Sequence, residues 1–180
     1  VVVCYFLCNF GNNIFTFKKK VTFTIKPNRH RSTWFPEVIL RDRIEGTITF
    51  VGDFSYSNVD GDTHKIIGFS DNWHHHKDSV RLGWRYDPIL MKIEVMTILY
   101  YGGERIIRHL CFIDNFSVEK YKFIISKNKT CYFVIFDKFS EILPRRSNWF
   151  GPRYLLFPYF GGQKKSEKQR ISFHRLNPMQ

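Results

Sequence analysis

Three consecutive histidines, His74 to His76, are the side chains in this sequence that most invite a chemical role. Imidazole nitrogens bind zinc, and in an extended chain His74 and His76 would project to the same face. A metal needs a third ligand, for which His64 and Asp71 are candidates. No H-E-x-x-H or related signature is present, so we predict a structured loop that enters a strand, with no resident metal and no other cofactor.

The acidic residues suggest calcium binding or acid–base catalysis, and the sequence supports neither well. The triplet DGD at residues 60–62 places oxygen ligands on a glycine-bent turn, but the rest of a calcium loop is missing, and Asp-Gly is a common turn pair. Other carboxylates, such as Glu94 and Glu141, fall at outward strand positions or in turns. No nucleophile elbow, phosphate loop or dinucleotide fingerprint is found. The sequence therefore predicts that the protein is not an enzyme.

Loop tryptophans beside polar and basic side chains indicate ligand binding, because aromatic faces stack on sugar rings while their neighbours hydrogen-bond the ring edges. The segment Val80–Tyr86 adds a strand on which arginines alternate with apolar residues, which predicts one buried and one basic face. The alternative is that loop aromatics fold back and plug the ends of the domain. The predicted ligand-binding residues are Trp34, Trp73, Arg81, Arg85, Arg146 and Trp149.

The formal net charge of +12 predicts a surface with positive potential that attracts anions, although a basic surface also serves solubility. Basic clusters occur at residues 18–20, 29–31 and 164–170. No RNA-reading signature accompanies them, so sequence-specific binding of nucleic acid is not expected. An acidic glycan or another anionic ligand is the expected partner.

The composition predicts an all-β protein. The chain has 180 residues, 43% of them hydrophobic and 18% aromatic, so it is long and apolar enough for one domain with a substantial core. It contains no alanine, the best helix former, whereas Ile, Val, Thr and Phe are abundant and suit a half-buried pleated surface. We therefore treat residues 1–180 as a single domain.

Alternation of apolar and polar residues marks the elements that position these side chains. One strand places Val21, Phe23 and Ile25 on one face, and another does the same for Ile44, Ile48 and Phe50. Residues 53–77 are predicted to be a long irregular loop. The spacing of the strands predicts an antiparallel β-sandwich, jelly-roll-like, with about nine to ten strands.

Two consecutive hairpins are predicted in the second half of the chain. Gly102 and Gly103 lie between apolar runs and suit a tight turn. SKNK, at residues 126–129, predicts the next turn, with Tyr121, Phe123 and Ile125 opposite Cys131, Phe133 and Ile135.

The four cysteines show no zinc-site spacing. Cys111 and Cys131 are expected in adjacent strands, as buried thiols or as a disulfide. The apolar segment 1–10 is shorter than a membrane span and is predicted to be an ordinary strand. No other segment approaches a membrane span.

Three segments, HHHKDSVRLGWRY, ILYYGGERI and LLFPYFGG, resemble a group of uncharacterised β-sandwich proteins encoded by bacteroidete bacteria and their phages. In that group a histidine-rich loop precedes an S-x-R-x-G-W-R strand, and a late PYFGG turn leads into the last strand. The resemblance covers about residues 20–176. The sequence departs from the group after Gly162, where QKKSEKQRI replaces an Ala-Pro-His-Asp segment. The resemblance implies an extracellular or virion-associated β-sandwich with no established activity.

Taken together, these features predict a non-catalytic recognition module of carbohydrate-binding, lectin-like type. The alternative is a structural protein of a virion or surface assembly, which would pack against copies of itself or other neighbours. A third hypothesis is a jelly-roll enzyme that degrades glycans.

Overall fold

The computed structural model describes residues 16–25, 37–39, 42–51, 63–114, 119–146, 153–159 and 169–178. Within these ranges all regular structure is β-strand, and no helix is long and apolar enough to cross a membrane. The twelve strands are β1 (Thr16–Ile25), β2 (Glu37–Ile39), β3 (Arg43–Val51), β4 (His64–Ser70), β5 (Asp78–Asp87), β6 (Lys92–Tyr101), β7 (Glu104–Asp114), β8 (Tyr121–Lys127), β9 (Cys131–Phe136), β10 (Phe139–Pro144), β11 (Arg153–Leu156) and β12 (Gln169–Pro178).

The strands form two six-stranded antiparallel sheets. Sheet A has the order β1-β12-β3-β8-β9-β10, and sheet B has the order β2-β11-β4-β5-β6-β7. In each sheet a late strand inserts between two early ones, a crossover typical of jelly rolls. The prediction of an antiparallel, jelly-roll-like β-sandwich is confirmed, with more strands than the predicted nine or ten.

Apolar side chains from the facing sides of the two sheets form the core. Ile44, Ile48 and Phe50 of β3 are buried there, as are Val80, Leu82 and Trp84 of β5, as the alternation predicts. Phe50 and Trp84 meet edge to face across the core, with ring centroids 6.4 Å apart. Full burial of side chains of this size contributes about 1.5–3 kcal/mol each.

The hairpin between β6 and β7 turns at the two predicted glycines. Gly102 and Gly103 have φ angles of 63° and 98°, which a side chain would disfavour. The predicted tight turn is therefore confirmed.

The inward-facing residues of β9 differ from the prediction by one position. Phe123 pairs with Phe136 and Ile125 with Val134, so the buried residues of β9 are Tyr132, Val134 and Phe136. Cys131, Phe133 and Ile135 are only half-buried. The side chain of Asn128 accepts hydrogen bonds from the backbone N–H groups of Thr130 and Cys131, which places the turn later in the chain. A shift of one residue moves every side chain to the opposite face.

The predicted irregular loop at 53–77 contains strand β4. Ile66, Ile67 and Phe69 of this strand are all buried, and only Lys65 is half-exposed. Because both faces of β4 are covered, its sequence shows no alternation, and this is why the prediction missed it.

The two described cysteines are free thiols. Cys111 lies in β7 of sheet B and Cys131 in β9 of sheet A, so the expectation that they lie in adjacent strands was wrong. Burial raises the pKa of Cys111 to about 11, and the charge of Asp137 adds to the shift. The Cys111 side chain is therefore a protonated, unreactive part of the core.

The buried carboxylate of Asp71 joins the two sheets. Asp71 follows β4 in sheet B, and its Oδ2 accepts hydrogen bonds from the Tyr132 hydroxyl of sheet A, at 2.9 Å, and from Arg145 Nε, just after β10. Lys127 Nζ of β8 lies 3.5 Å from Oδ1, and Arg153 Nε of β11 lies 3.6 Å from the same atom. We call these five residues the Asp71 cluster.

Asp42 extends the Asp71 cluster toward solvent. It pairs with Lys127 at 3.5 Å and with Arg153. Although partial burial alone would raise the pKa of Asp42, the hydrogen bond from Arg153 and the charge of Lys127 lower it. Burial lowers the pKa of Lys127, an effect that Asp71 partly offsets, and raises that of Tyr132. Three cations thus depend on one fully buried and one exposed carboxylate.

We expect Asp71→Asn to lower the free energy of unfolding by about 3–5 kcal/mol, because it leaves three buried or half-buried cations without their central anion. Urea unfolding followed by tryptophan fluorescence measures the change. The matched control is Glu45→Gln, which breaks the ion pair with the exposed Arg43 and should cost about 1 kcal/mol or less. Equal effects of the two substitutions would contradict the role of Asp71.

Candidate functional site

Residues 71–77 form the turn between β4 and β5, which we call the histidine turn. The backbone N–H of Asp71 donates to Asp78 O at 3.0 Å, and that of Lys77 donates to His74 O at 2.7 Å. The side chain of Asn72 accepts from the His74 N–H at 2.7 Å and donates to Asp78 Oδ2 at 2.9 Å. The prediction of a structured loop before a strand is confirmed. Because the backbone turns here, His74 and His76 do not alternate as they would in an extended chain.

The four metal candidates have separate environments. His64 is buried in β4 with its ring 4.4 Å from that of Trp84, and Asp71 lies in the cluster described above. His76 contacts His75, at a centroid distance of 4.2 Å, and His74 is exposed. The described part of the chain contains no group of three or more His, Cys, Asp or Glu side chains that could hold a metal. The carboxylates predicted at residues 60–62 lie outside the described residues.

Five ring-bearing side chains meet beside the histidine turn, and we call them the aromatic cluster. Trp73 stacks on Tyr154 at a centroid distance of 6.5 Å, and His76 meets the edge of Tyr100 at 4.9 Å. His75 links the two pairs, because its ring contacts His76 at a tilt and meets Tyr154 edge to face. The members are Trp73, His75, His76, Tyr100 and Tyr154. Trp73 is 60% exposed and His76 is also exposed, whereas both tyrosines are buried.

Hydrogen bonds at Tyr154 fix the tautomer of His75. The Tyr154 hydroxyl donates to Trp73 O at 2.8 Å and lies 3.1 Å from His75 Nδ1. Since a hydroxyl has one proton, Nδ1 of His75 must be the donor in the second bond. In the neutral form of the His75 ring the lone pair is therefore on Nε2.

Several positive charges surround His76. Partial burial of the ring lowers the pKa of His76, and the charges of Arg81, Lys65 and Arg105 lower it further. His76 is therefore neutral near pH 7.

Arg81 lies on the outer face of sheet B, the face turned away from sheet A. Its side chain extends over Gly68 of the neighbouring strand, where an added Cβ would lie 2.7 Å from Arg81 Cγ. The guanidinium carbon lies 6.0 Å from the centre of the Tyr100 ring. Arg81 is only 4% exposed, so the prediction of one buried and one basic face was wrong at this position. Met96 and Ile98 are also buried on the outer face, so this face of sheet B is covered around Arg81.

Two donors of the Arg81 guanidinium are unpaired. Nε and Nη2 are buried and have no hydrogen-bond partner in the part of the chain that the structure describes. The pKa of Arg81 is lowered to about 10. Burial is the main cause and the charge of Arg105 adds to it, while Tyr100 and Tyr154 act in the opposite direction. The side chain is therefore a buried cation at neutral pH.

The remaining predicted binding residues are spread over the molecule. Arg85 is exposed and binds Glu94 at 2.5 Å, and Glu94 also lies 2.9 Å from His109 Nδ1. Arg146 is exposed near the turn at Gly102. Trp34 and Trp149 lie outside the described residues. Among the described members of the predicted set, Trp73 and Arg81 lie beside the aromatic cluster, Trp73 as one of its members and Arg81 through its contact with Tyr100.

Sequence analysis did not single out His75, Tyr100 and Tyr154, which the structure places in the aromatic cluster. Tyr100 could have been found, because strict alternation along β6 places it on the same face as Arg81. Tyr154 reaches His75 from a strand 79 residues away in the sequence, and no local pattern predicts that contact.

The fold resembles that of solved structures, whereas neither a family model nor a curated protein sequence matches the chain. An alginate lyase from Pseudomonas aeruginosa matches with a TM-score of 0.54 and 14% identity over 76% of this chain, which spans 64% of that protein. A Bacteroides ovatus GH16 protein of a mixed-linkage glucan utilisation locus, in complex with its product, matches with a TM-score of 0.56 and 11% identity. That match covers 94% of this chain and 84% of the other. A functionally unknown protein from Saccharomyces cerevisiae matches with a TM-score of 0.56 and 8% identity, and the match covers 92% of each chain.

These comparisons correct the predicted function. The fold of this chain is the fold of jelly-roll enzymes that act on glycans, including an endo-β-1,3(4)-glucanase of family GH16. They contradict the prediction of a non-catalytic, lectin-like module, and they give no support to a structural protein of a virion. The resemblance to bacteroidete and phage proteins stays a prediction.

The lowered pKa of His76 predicts a stability that depends on pH. The folded protein disfavours the imidazolium, so this contribution is present above the unfolded pKa of 6.5 and is lost as the pH falls below it. We expect the wild type to lose more stability between about pH 7.5 and about pH 5.5 than His76→Gln does. Urea midpoints at the two pH values test this, and parallel losses would contradict it.

Proposed function

We propose that this protein is an enzyme that cleaves glycans, with its active site at the aromatic cluster on the outer face of sheet B. The observation that carries the proposal is the contact between an exposed Trp73 and a set of imidazole and phenol groups at one point of the sheet. A sugar ring stacks on an exposed indole, and neighbouring groups can then transfer protons at the glycosidic bond. The likeness in fold to glycan-degrading enzymes supports this proposal.

Trp73 would bind the sugar. It is exposed, and Tyr154 stacks against one side of the indole and donates a hydrogen bond to its backbone carbonyl. The ring is therefore held in place before a ligand arrives, which lowers the entropic cost of binding.

The acid–base groups would be His75, His76 and Tyr100. The His75 lone pair is on Nε2, the His76 ring is neutral near pH 7, and the Tyr100 hydroxyl belongs to a ring that contacts both His76 and Arg81. A glycosidase needs two carboxyl groups at the scissile bond. Three outer-face carboxylates of β5, β6 and β7 lie toward the opposite end of these strands. Glu94 and Asp114 are held in ion pairs, and Asp87 accepts hydrogen bonds from the backbone N–H groups of Ile89 and Leu90. The cluster thus favours proton transfer by imidazole and phenol over a carboxylate pair.

The first test is product release from a panel of neutral and acidic polysaccharides. Reducing ends report any cleavage, and the ultraviolet absorbance of unsaturated products reports elimination specifically. We expect cleavage of at least one polymer, with kcat reduced by about 10²–10⁴-fold in Tyr100→Phe, which removes one hydroxyl group. Tyr101→Phe is the matched control, because Tyr101 is the next residue and packs against the core on the other face of β6. Equal activity of the two variants, or no cleavage of any polymer, would refute the proposal.

Trp73→Ala tests the sugar platform separately. We expect KM to rise by about 3- to 10-fold with a smaller change in kcat, because stacking contributes mainly to binding. Initial rates over a range of polysaccharide concentration measure both constants. An unchanged KM would place the sugar elsewhere.

A further inference from the structure

We propose that the Arg81 guanidinium binds the carboxylate of a uronic acid unit, so that the substrate of the proposed site is an acidic glycan. This inference rests on the proposed function for its location, and on Arg81 itself for its chemistry. Arg81 is 96% buried, since only 4% of it is exposed, and it forms no ion pair within the described part of the chain. A buried cation without an anion is costly, and the cost is relieved when a ligand supplies the anion.

The two unpaired donors define the shape of the ligand. Nε–H and the neighbouring N–H of Nη2 lie along one edge of the planar guanidinium and point in parallel. A carboxylate presents two oxygens in one plane and accepts both bonds at once. Such bidentate pairing requires arginine, because a lysine ammonium offers a point charge without the planar fork.

Among the described residues no carboxylate pairs with Arg81, and Arg105 adds a further positive charge; Asp78, at the start of β5, is engaged by Asn72 and the Gly102 N–H. The Coulombic partners of His76, which borders Tyr100 beside Arg81, are Arg81, Lys65 and Arg105. The Asp71 carboxylate is engaged by Tyr132, Arg145 and Lys127, and Glu94 is engaged by Arg85. A ligand carboxylate beside Arg81 would therefore lie near cations and phenol groups, because the carboxylates named here are already paired.

The position of Arg81 relative to the aromatic cluster fits a uronic acid rather than a free anion. The contacts run from Arg81 to Tyr100, then to His76 and His75, and end at Tyr154 and the exposed Trp73. A sugar unit stacked on the exposed rings has neighbours in the polymer that extend along this line. The carboxylate would enter past the exposed ring of His76, which contacts Tyr100.

Calorimetric titration with mannuronate and galacturonate trisaccharides tests the inference, with laminaritriose as the neutral reference ligand. We expect the wild type to bind at least one uronate more tightly than laminaritriose. Arg81→Met should weaken uronate binding by about 10- to 100-fold, and Arg81→Lys should restore only part of it. Arg43→Met is the control, because Arg43 is exposed on sheet A and pairs with Glu45; it should bind as the wild type does. A sulfated neutral trisaccharide tests the alternative anion, and tighter binding of the sulfate would overturn the assignment to a carboxylate.

Thermal unfolding separates loss of the site from loss of the fold. We expect Arg81→Met to melt at the same temperature as the wild type or higher, because it removes a buried unpaired cation. The uronate should raise the melting temperature of the wild type and not that of the variant. A uronate shift that is equal in both proteins, or preference for laminaritriose, would overturn the inference. If the protein binds uronates through Arg81 but cleaves no polymer, the proposed enzymatic function alone is refuted. If it cleaves neutral glucans and Arg81→Met does not change this activity, the uronate site alone is refuted.

Discussion

The buried carboxylate of Asp71 is the constraint on which the arrangement of the molecule depends. It receives a hydroxyl and a guanidinium from sheet A, and it follows directly after β4 of sheet B, where the histidine turn begins. Burial makes each of these charges costly on its own, so removing one member of the cluster leaves the others without compensation. The cluster therefore fixes how the two layers meet at this end, and it anchors the first residue of the turn that carries Trp73 and the histidines.

A second polar centre, at Arg81, is built in the opposite way. The charges of the Asp71 cluster pair with one another, whereas two donors of the buried Arg81 have no hydrogen-bond partner among the described residues. Gly68 makes room for the arginine side chain along the sheet, so the position is set by the strands and not by a loop. A donor group that is fixed on a rigid strand without a partner lowers the stability of the fold and is typical of sites that bind a ligand.

The fold could be predicted from the sequence because alternation and turn chemistry are local. Phe50, Leu82 and Trp84 were assigned correctly to the core, and Gly102 and Gly103 to a turn. Predictions failed where burial on two faces removes the pattern, as in β4, or where a side chain such as Asn128 shifts a turn by one residue. The site was harder to predict, because the contact of Tyr154 with His75 depends on strand order. Alternation predicts on which face of the sheet Arg81 lies, but it does not predict whether other residues cover that face. The burial of Arg81 could therefore not be predicted from the sequence.

The order of strands in sheet A has a consequence for how this protein folds. β12 lies between β1 and β3, so residues 169–178 must be in place before residues 16–25 and 43–51 have their neighbour. A chain that has formed β3 and β8 but not yet β12 exposes one unpaired edge of β3. Closing the layer then requires pairing between distant parts of the chain, and such long-range pairing is slow.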